Sequence, residues 1–277
     1  MALLRNELLK TYTRWRTYIG FLAIGAIVPL VEIGLKLEGG SLARNATRGL
    51  SADFLIMGNV FNGYFVTQFL MNSLWVHIPF LISLVAGDQL AGEGTGGTFR
   101  ILLIRPPSRT RILGIKYLTT LIYTASLVIF LAVLSVGLGI ALFGTGDLLI
   151  PGRTISILSQ AEAPWRLTGA FGFAIVSMWC VASLAFLFSS LVENAIGPII
   201  GTMAVIIVFL LMTNIPISLF ATIRPYLFTT YLDVWQEVLE YKVQWSTLAL
   251  HVSYLAAYSI GFYIATWYIF VKKDVLS

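Results

Sequence analysis

The sequence predicts an all-α polytopic membrane protein of six transmembrane helices, and three observations carry that expectation. Of the 277 residues, 58% are hydrophobic and only 11% charged, more apolar surface than a water-soluble domain of this length can hide. Long apolar runs recur at residues 18–37, 60–86, 117–143, 167–191, 195–212 and 247–271, against the roughly 20 helical residues that cross a hydrocarbon core. Eleven of the eighteen cations then fall in the short pieces that an even number of crossings leaves on one side: Arg5, Lys10, Arg14, Arg16, Arg100, Arg105, Arg109, Arg111, Lys116, Lys272 and Lys273. By the positive-inside rule that side is the cytoplasm, with both termini on it, and a cytoplasmic (inner) membrane is the expected location.

Taken in order, residues 1–17 read as an interfacial helix with Leu4, Leu8, Tyr12 and Trp15 on one face. The plainer reading is a basic N-terminus that only secures orientation. Seventeen residues with four cations make a long leader for a secretory signal, so the first apolar run is expected to stay as an anchor rather than be cleaved near Ala43. Glu32 and Lys36, four apart near the outer end of that run, are expected to pair or to snorkel to the interface. Residues 38–58 read as a loop.

The second span, 60–86, is the least uniformly oily. Helical spacing aligns Phe61, Phe65, Gln68, Asn72, Trp75 and Pro79 on one stripe. Amides at membrane depth must face protein or water, which makes Phe65, Gln68, Asn72 and Trp75 either helix-packing residues or the lining of a pathway. His77 falls off the stripe, and the second histidine, His251, lies in another span, so no metal site is expected.

Residues 87–116 are a polar, glycine-rich and basic interruption, expected to be a cytoplasmic loop that receives force. Asp88 and Glu93 supply carboxylates, and glycines at 92, 94, 96 and 97 permit close approach of a partner backbone. Pro106 and Pro107 stop a helix before Ser108. Residues 144–165 have loop composition, with Gly144, Gly146, Pro151, Gly152 and Pro164. Cys180, the single cysteine, lies inside the fourth span and excludes an intrachain disulfide. Only Val192, Glu193 and Asn194 separate the fourth and fifth spans, a tight cytoplasmic hairpin in which Glu193 either touches a partner or keeps the turn in water. Residues 213–245 are expected to form short re-entrant or interfacial outer helices, bounded by Pro216 and Pro225, with Trp235, Val238, Leu239 and Val243 on one face. The whole of 1–277 reads as a single transmembrane domain.

The 87–116 loop resembles the signature region of permease subunits of type-2 ATP-binding-cassette (ABC) transporters. In that pattern a Glu, three residues and Gly-Thr precede a leucine pair, a proline and Ser-Arg, with a Lys downstream. Here these are Glu93, Gly97, Thr98, Leu102, Leu103, Pro107, Ser108, Arg109 and Lys116. The resemblance implies a cytoplasmic coupling helix between the second and third spans and contacts to an ATPase through Asp88, Glu93, Gly97, Thr98, Arg100 and Glu193. It further implies two ATPase subunits as partners, a second permease chain, identical or related, and surrounding lipid.

The sequence has no Gly-x-x-x-x-Gly-Lys-Ser/Thr phosphate loop, so ATP and Mg2+ are expected in the partner ATPase and no cofactor in this chain. No catalytic set is legible, and the expectation is a transport subunit rather than an enzyme, moving a substrate outward. The alternative is a non-conducting ABC-type transmitter acting on an envelope partner. A membrane enzyme and an ion-driven secondary transporter fit less well, because membrane-centre ionisable residues are nearly absent. The clustering of cations at span ends speaks for lipid headgroups and against nucleic acid.

Overall fold

Apolar runs this long have one economical solution in lipid, a helix that satisfies every backbone group internally. The computed structural model describes residues 2–47, 61–95, 108–150 and 156–272, and these are mostly helical. In chain order they form α1 (Ala2–Thr13), α2 (Trp15–Thr47), α3 (Gly63–Leu74), α4 (His77–Ala86), α5 (Asp88–Thr95) and α6 (Arg109–Phe143). A two-stranded ribbon follows, β1 (Leu148–Ile150) and β2 (Ser156–Leu158), then α7 (Ala163–Leu191) and α8 (Ile196–Asn214). Short turns lead to the last long helix: α9 (Ser218–Ala221), two 3-10 turns (Arg224–Tyr226 and Phe228–Tyr231), α10 (Val234–Glu237) and α11 (Trp245–Lys272).

Among the described residues five helices are long and apolar enough to cross a membrane, and the bent pair formed by α3 and the helix after it brings the number to six if it is one crossing. The chain is thus built as a multi-pass membrane protein. Helix α7 is its centre: 61% of its most apolar window is buried inside the chain, against at most 28% for the other four long helices. Small residues make that possible. Ala170, Ala174, Ala182, Ala185 and Ser189 line its buried surface, letting α4, α6, α8 and α11 come close on several sides.

The second apolar run is bent by 61° at Trp75 and Val76 rather than straight. Pro79 is the cause. It has no N–H to give the Trp75 carbonyl, but it fits the first turn of a new helix, where that N–H needs no partner. The expected stripe is divided by this break. Gln68 is buried, whereas Asn72 donates to the Gln68 carbonyl and accepts from Gln236 Nε2 at 3.1 Å. Trp75 packs on Trp235, ring centroids 5.2 Å apart.

Two further expectations change. Helix α2 runs on to Thr47 where a loop was expected from residue 38, because Leu42, Ala43, Arg44 and Ala46 are good helix formers that outlast Gly39 and Gly40. Residues 144–165 hold the antiparallel ribbon, Leu148 opposite Leu158 with both buried, where only loop was expected. Asp147 sets it up, since its Oδ1 accepts from Gln160 N at 2.8 Å. The 213–245 segment holds short helical turns, as expected, and part of it packs on the chain itself. Trp235, Val238 and Leu239 are buried in the chain's own core, Ser177 of α7 donates to the Leu232 carbonyl, and Arg166 of α7 donates to the Val238 and Glu240 carbonyls.

Glu32 and Lys36 do not pair either. Lys36 Nζ donates to the Leu142 carbonyl at 2.5 Å and lies 5.5 Å from the Phe143 ring centroid. The open carbonyls at the end of α6 form the negative pole of that helix and accept the cation. Among the described residues Glu32 is left fully buried with neither carboxyl oxygen bonded. It continues the buried stripe Thr17, Gly20, Ile24 and Val28 by which α2 packs on its neighbours.

The closest helix crossing joins α3 and α6. A Cβ on Gly63 would stand 2.4 Å from the Gly139 carbonyl carbon, so two backbones touch there. Asn62 holds the crossing: its Oδ1 caps α3 by accepting from Tyr64 N and Phe65 N, and its Nδ2 donates to the Asp147 carbonyl at 2.7 Å. Gly63→Ala is expected to lower stability by about 1–3 kcal/mol through this overlap, read as a lower unfolding midpoint in detergent. Glu32→Leu is expected to raise the midpoint, because it removes a buried polar group without partners at a cost of about 1–3 kcal/mol. A fall for Glu32→Leu would show that the carboxyl is held by a bond made in the membrane.

Candidate functional site: a buried charge cluster at the ends of the polar loop

The polar interruption is helical at both described ends. Gly87 joins α4 to α5, and Ser108 begins α6 with its Oγ accepting from Arg111 N. Gly97, Thr98, Arg100, Leu102, Leu103 and Pro107 lie outside the described residues, and so does the body of the expected coupling helix.

Helix α5 begins where a glycine-rich loop was expected because its buried first turn is capped by another helix. Ser189 Oγ, on α7, accepts from Leu90 N and Ala91 N at 3.0 Å each and donates to the Gly87 carbonyl at 2.5 Å. The free N–H groups of a helix start are thereby satisfied by another helix. Burial of Leu90 and Ala91 completes the dock.

This dock aims two carboxylates at the N-terminal helix. Glu93 is 1% exposed and accepts from Lys116 Nζ of α6 at 2.5 Å and from Lys10 Nζ of α1. Lys116 is itself 1% exposed and also donates to Glu7 Oε2 of α1 at 3.1 Å. Among the described residues two acids and two bases therefore form one cluster across three helices. Asp88 forms a second joint, accepting from Arg14 Nη1 at 2.7 Å and from Arg16 Nη1 at 2.9 Å across the break between α1 and α2. Tyr12 and Ser126 share a 2.7 Å hydrogen bond, and Gln89 Nε2 donates to Thr11 Oγ1 at 3.3 Å.

Burial alone would raise the Glu93 pKa. The charge of Lys116, the hydrogen bonds from Lys10 and Lys116, and the charge of Lys10 outweigh burial and hold the carboxyl below its ordinary value. The cluster fixes α1, the start of α5 and the start of α6 as one body. Arg109 Nη1 donates to the Val271 carbonyl at 3.4 Å, and Trp267 Nε1 to Thr110 Oγ1 at 3.2 Å, so the start of α6 is also tied to the end of α11.

The sequence-derived site residues thus separate by position. Asp88, Glu93 and Lys116 are brought together and turned inward, Ser108 and Arg109 form a helix start, and Glu193 is exposed in the α7–α8 turn. Phe65, Gln68, Asn72 and Trp75 sit in α3 and at its break, away from this cluster. The residues missed are Glu7, Lys10, Arg14, Arg16 and Ser189. For the first three a signal existed: Glu7, Lys10 and Arg14 lie at i, i+3 and i+7, one polar stripe on a helix whose apolar face alone was weighed. Ser189 is one of several serines in an apolar run and nothing in its spacing marks it.

Glu93→Ala is expected to release α1, because removing one member of a buried charge cluster costs about 3–5 kcal/mol. A cysteine placed at buried Thr11 reports it: thiol labelling should rise several-fold over that in the same cysteine variant with Glu93 intact. Since the folded pKa of Glu93 is depressed, its contribution is complete above the unfolded carboxyl value of about 4.3 and is lost as pH falls through the folded value. Labelling of that cysteine, taken relative to an exposed reference cysteine so that the fall in thiolate with pH cancels, should stay flat from neutral pH down to about 5 and rise below about 4.

Residues 41–276 match a family described as "Protein of unknown function (DUF2705)". A curated relative, "Uncharacterized protein YhcI" of Bacillus subtilis (strain 168), is 28% identical over 207 residues, which cover 69% of this chain and 63% of the relative. The chain therefore spans less than two thirds of the curated relative's length. Asp88, Glu93 and Lys116 lie within the matched residues, while the α1 members of the cluster precede them. With 41–276 of its 277 residues accounted for by that match, the chain belongs to the DUF2705 family.

Proposed function

We propose that this chain is the membrane-spanning permease subunit of a type-2 ABC transporter, an exporter driven by ATP hydrolysis in a separate subunit. In this reading the bent pair is the second of six spans, the membrane is the cytoplasmic one, and both termini and the 87–116 segment are cytoplasmic. Two ATPase subunits and a second permease chain complete the assembly, and ATP and Mg2+ belong to the ATPases.

The observation that carries the reading is that Glu93 and Lys116, the two ends of the family-like motif, meet at 2.5 Å although 23 residues apart. Everything between them is a basic segment anchored at both ends to the bundle. A push on that segment is passed through Glu93 and Lys116 to α1, through Ser189 to α7 and through Arg109 to α11. A loop tied to three further helices at its base moves the bundle when it is moved, which is what an external motor needs. In this arrangement Asp88 and Glu93 hold the handle rather than touch the motor. The contact itself falls to residues between Gly97 and Arg100 and to Glu193.

The test is recovery of the motor. A tag on the full chain, purified gently from its host, is expected to bring down an ATPase whose sequence carries a phosphate loop, and Glu193→Ala is expected to reduce its recovery or its coupled ATPase rate several-fold with the chain still inserted. Purification that never recovers such an ATPase overturns the reading. Coupled hydrolysis without movement of any solute would instead favour a non-conducting transmitter.

A further inference from the structure

Far along the chain from the charge cluster, α11 and the 3-10 turns before it enclose an aromatic pocket of about 530 Å3. Its walls are Tyr226, Tyr231, Tyr254, Tyr258 and Phe262. The hole exists because Ala257 and Gly261 occupy the α11 face between those rings, and a Cβ on Gly261 would meet no atom within 4 Å. The size lies inside the roughly 300–1,000 Å3 range of small-molecule sites.

The walls are fixed by their own hydroxyls. Tyr258 Oη donates to the Tyr226 carbonyl at 2.5 Å and Tyr231 Oη to the Pro225 carbonyl at 2.7 Å, which pins the turn against the helix. Tyr231 is further held between Tyr254, ring centroids 4.9 Å apart, and His251, at 5.1 Å, and His251 is paired with Glu237 at 2.5 Å. Two hydroxyls spent on backbone leave ring faces as the main chemistry offered to a guest.

Charge selects among guests. No charged side chain lines the pocket, so an anion finds no counter-ion there. The adjoining 213–245 segment carries Asp233, Glu237 and Glu240 against Arg224 and Lys242, one formal negative charge in excess. Aromatic ring faces beside such a segment attract a large, weakly hydrated cation. Tyr254 and Phe262 stand nine and seventeen residues into α11, roughly 14 and 26 Å along it, so the pocket runs along the helix flank inward from its Trp245 end.

We propose that this pocket is a binding site for an organic cation of the quaternary ammonium class, held by the faces of Tyr226, Tyr231, Tyr254, Tyr258 and Phe262. The site does not depend on the chain's having an ATPase partner. The cation can be a dissolved amphiphile or the headgroup of a choline lipid, and both present the same methylated ammonium to the rings.

The test uses the purified full chain in nanodiscs of phosphatidylethanolamine and phosphatidylglycerol, with radiolabelled benzyltrimethylammonium as probe. Saturable binding is expected, with neopentylbenzene, the neutral isostere, competing on the order of tenfold less well. Gly261→Trp, which fills the open space, should abolish binding, and Tyr254→Leu, which keeps bulk and removes the ring face, should weaken it about tenfold. Competition by phosphatidylcholine in the disc assigns the site to a lipid headgroup, and its absence to a free solute. Equal competition by the neutral isostere, no saturable binding, or binding indifferent to both Gly261→Trp and Tyr254→Leu overturns the proposal.

Discussion

A carboxylate that is 1% exposed exists in a folded chain only if charge is brought to it, and Glu93 sets that requirement for one whole end of the bundle. Lys116 answers from α6 and Lys10 from α1, and Lys116 in turn needs Glu7. Each group is tolerable because of the next. The path of the N-terminal helix, the break at Arg14 and the entry into α2 all follow from where these charges must sit. Asp88, paired with Arg14 in that break and with Arg16 just after it, fixes the corner itself.

The other end of the bundle is held by the opposite means. Gly63 and Gly139 let two helix backbones touch, and Asn62 spends its amide on a cap and on the Asp147 carbonyl. Lys36 closes the end of α6 by binding the Leu142 carbonyl. Close packing that forbids a methyl group leaves little room to move. The charged joint near Glu93 and the close backbone contact near Gly63 therefore divide α6 into two regimes, one governed by ion pairs at its start and one by steric contact near its end.

How much of this was legible in the sequence varies with the kind of force involved. Apolar run length marked α2, α6, α7, α8 and α11 well, because in lipid hydrophobicity and helix formation are nearly one property. Pro79 was legible as a residue on the second-span stripe but not as a 61° bend, since a proline near a helix start and one in its middle look alike until the boundary is known. The 213–245 segment was read correctly as too polar to span and as presenting Trp235, Val238 and Leu239 together. Its place inside the core depends on Arg166 and Ser177, both donors from a distant helix, and no local pattern announces them. The charged residues were legible as types and positions along the chain. Their partners were not, because Glu93, Lys10 and Lys116 are joined across 83 and 23 residues and pairing at that distance follows from topology.

What a buried ion cluster contributes is discrimination between arrangements more than stability. Well-packed apolar side chains in the same volume would hold three helices together equally well or better. They would also hold them in several registers, because leucine against leucine tolerates sliding. Four charges that balance only when Glu7, Lys10, Glu93 and Lys116 meet permit no such drift: a one-residue rotation of α1 turns its side chains through about 100° and takes Lys10 away from Glu93. The joint is made or broken, with costly states between. On the transporter reading proposed above, such a joint would pass a small displacement at Glu93 or Lys116 on to α1 instead of absorbing it, which a greasy contact would not do.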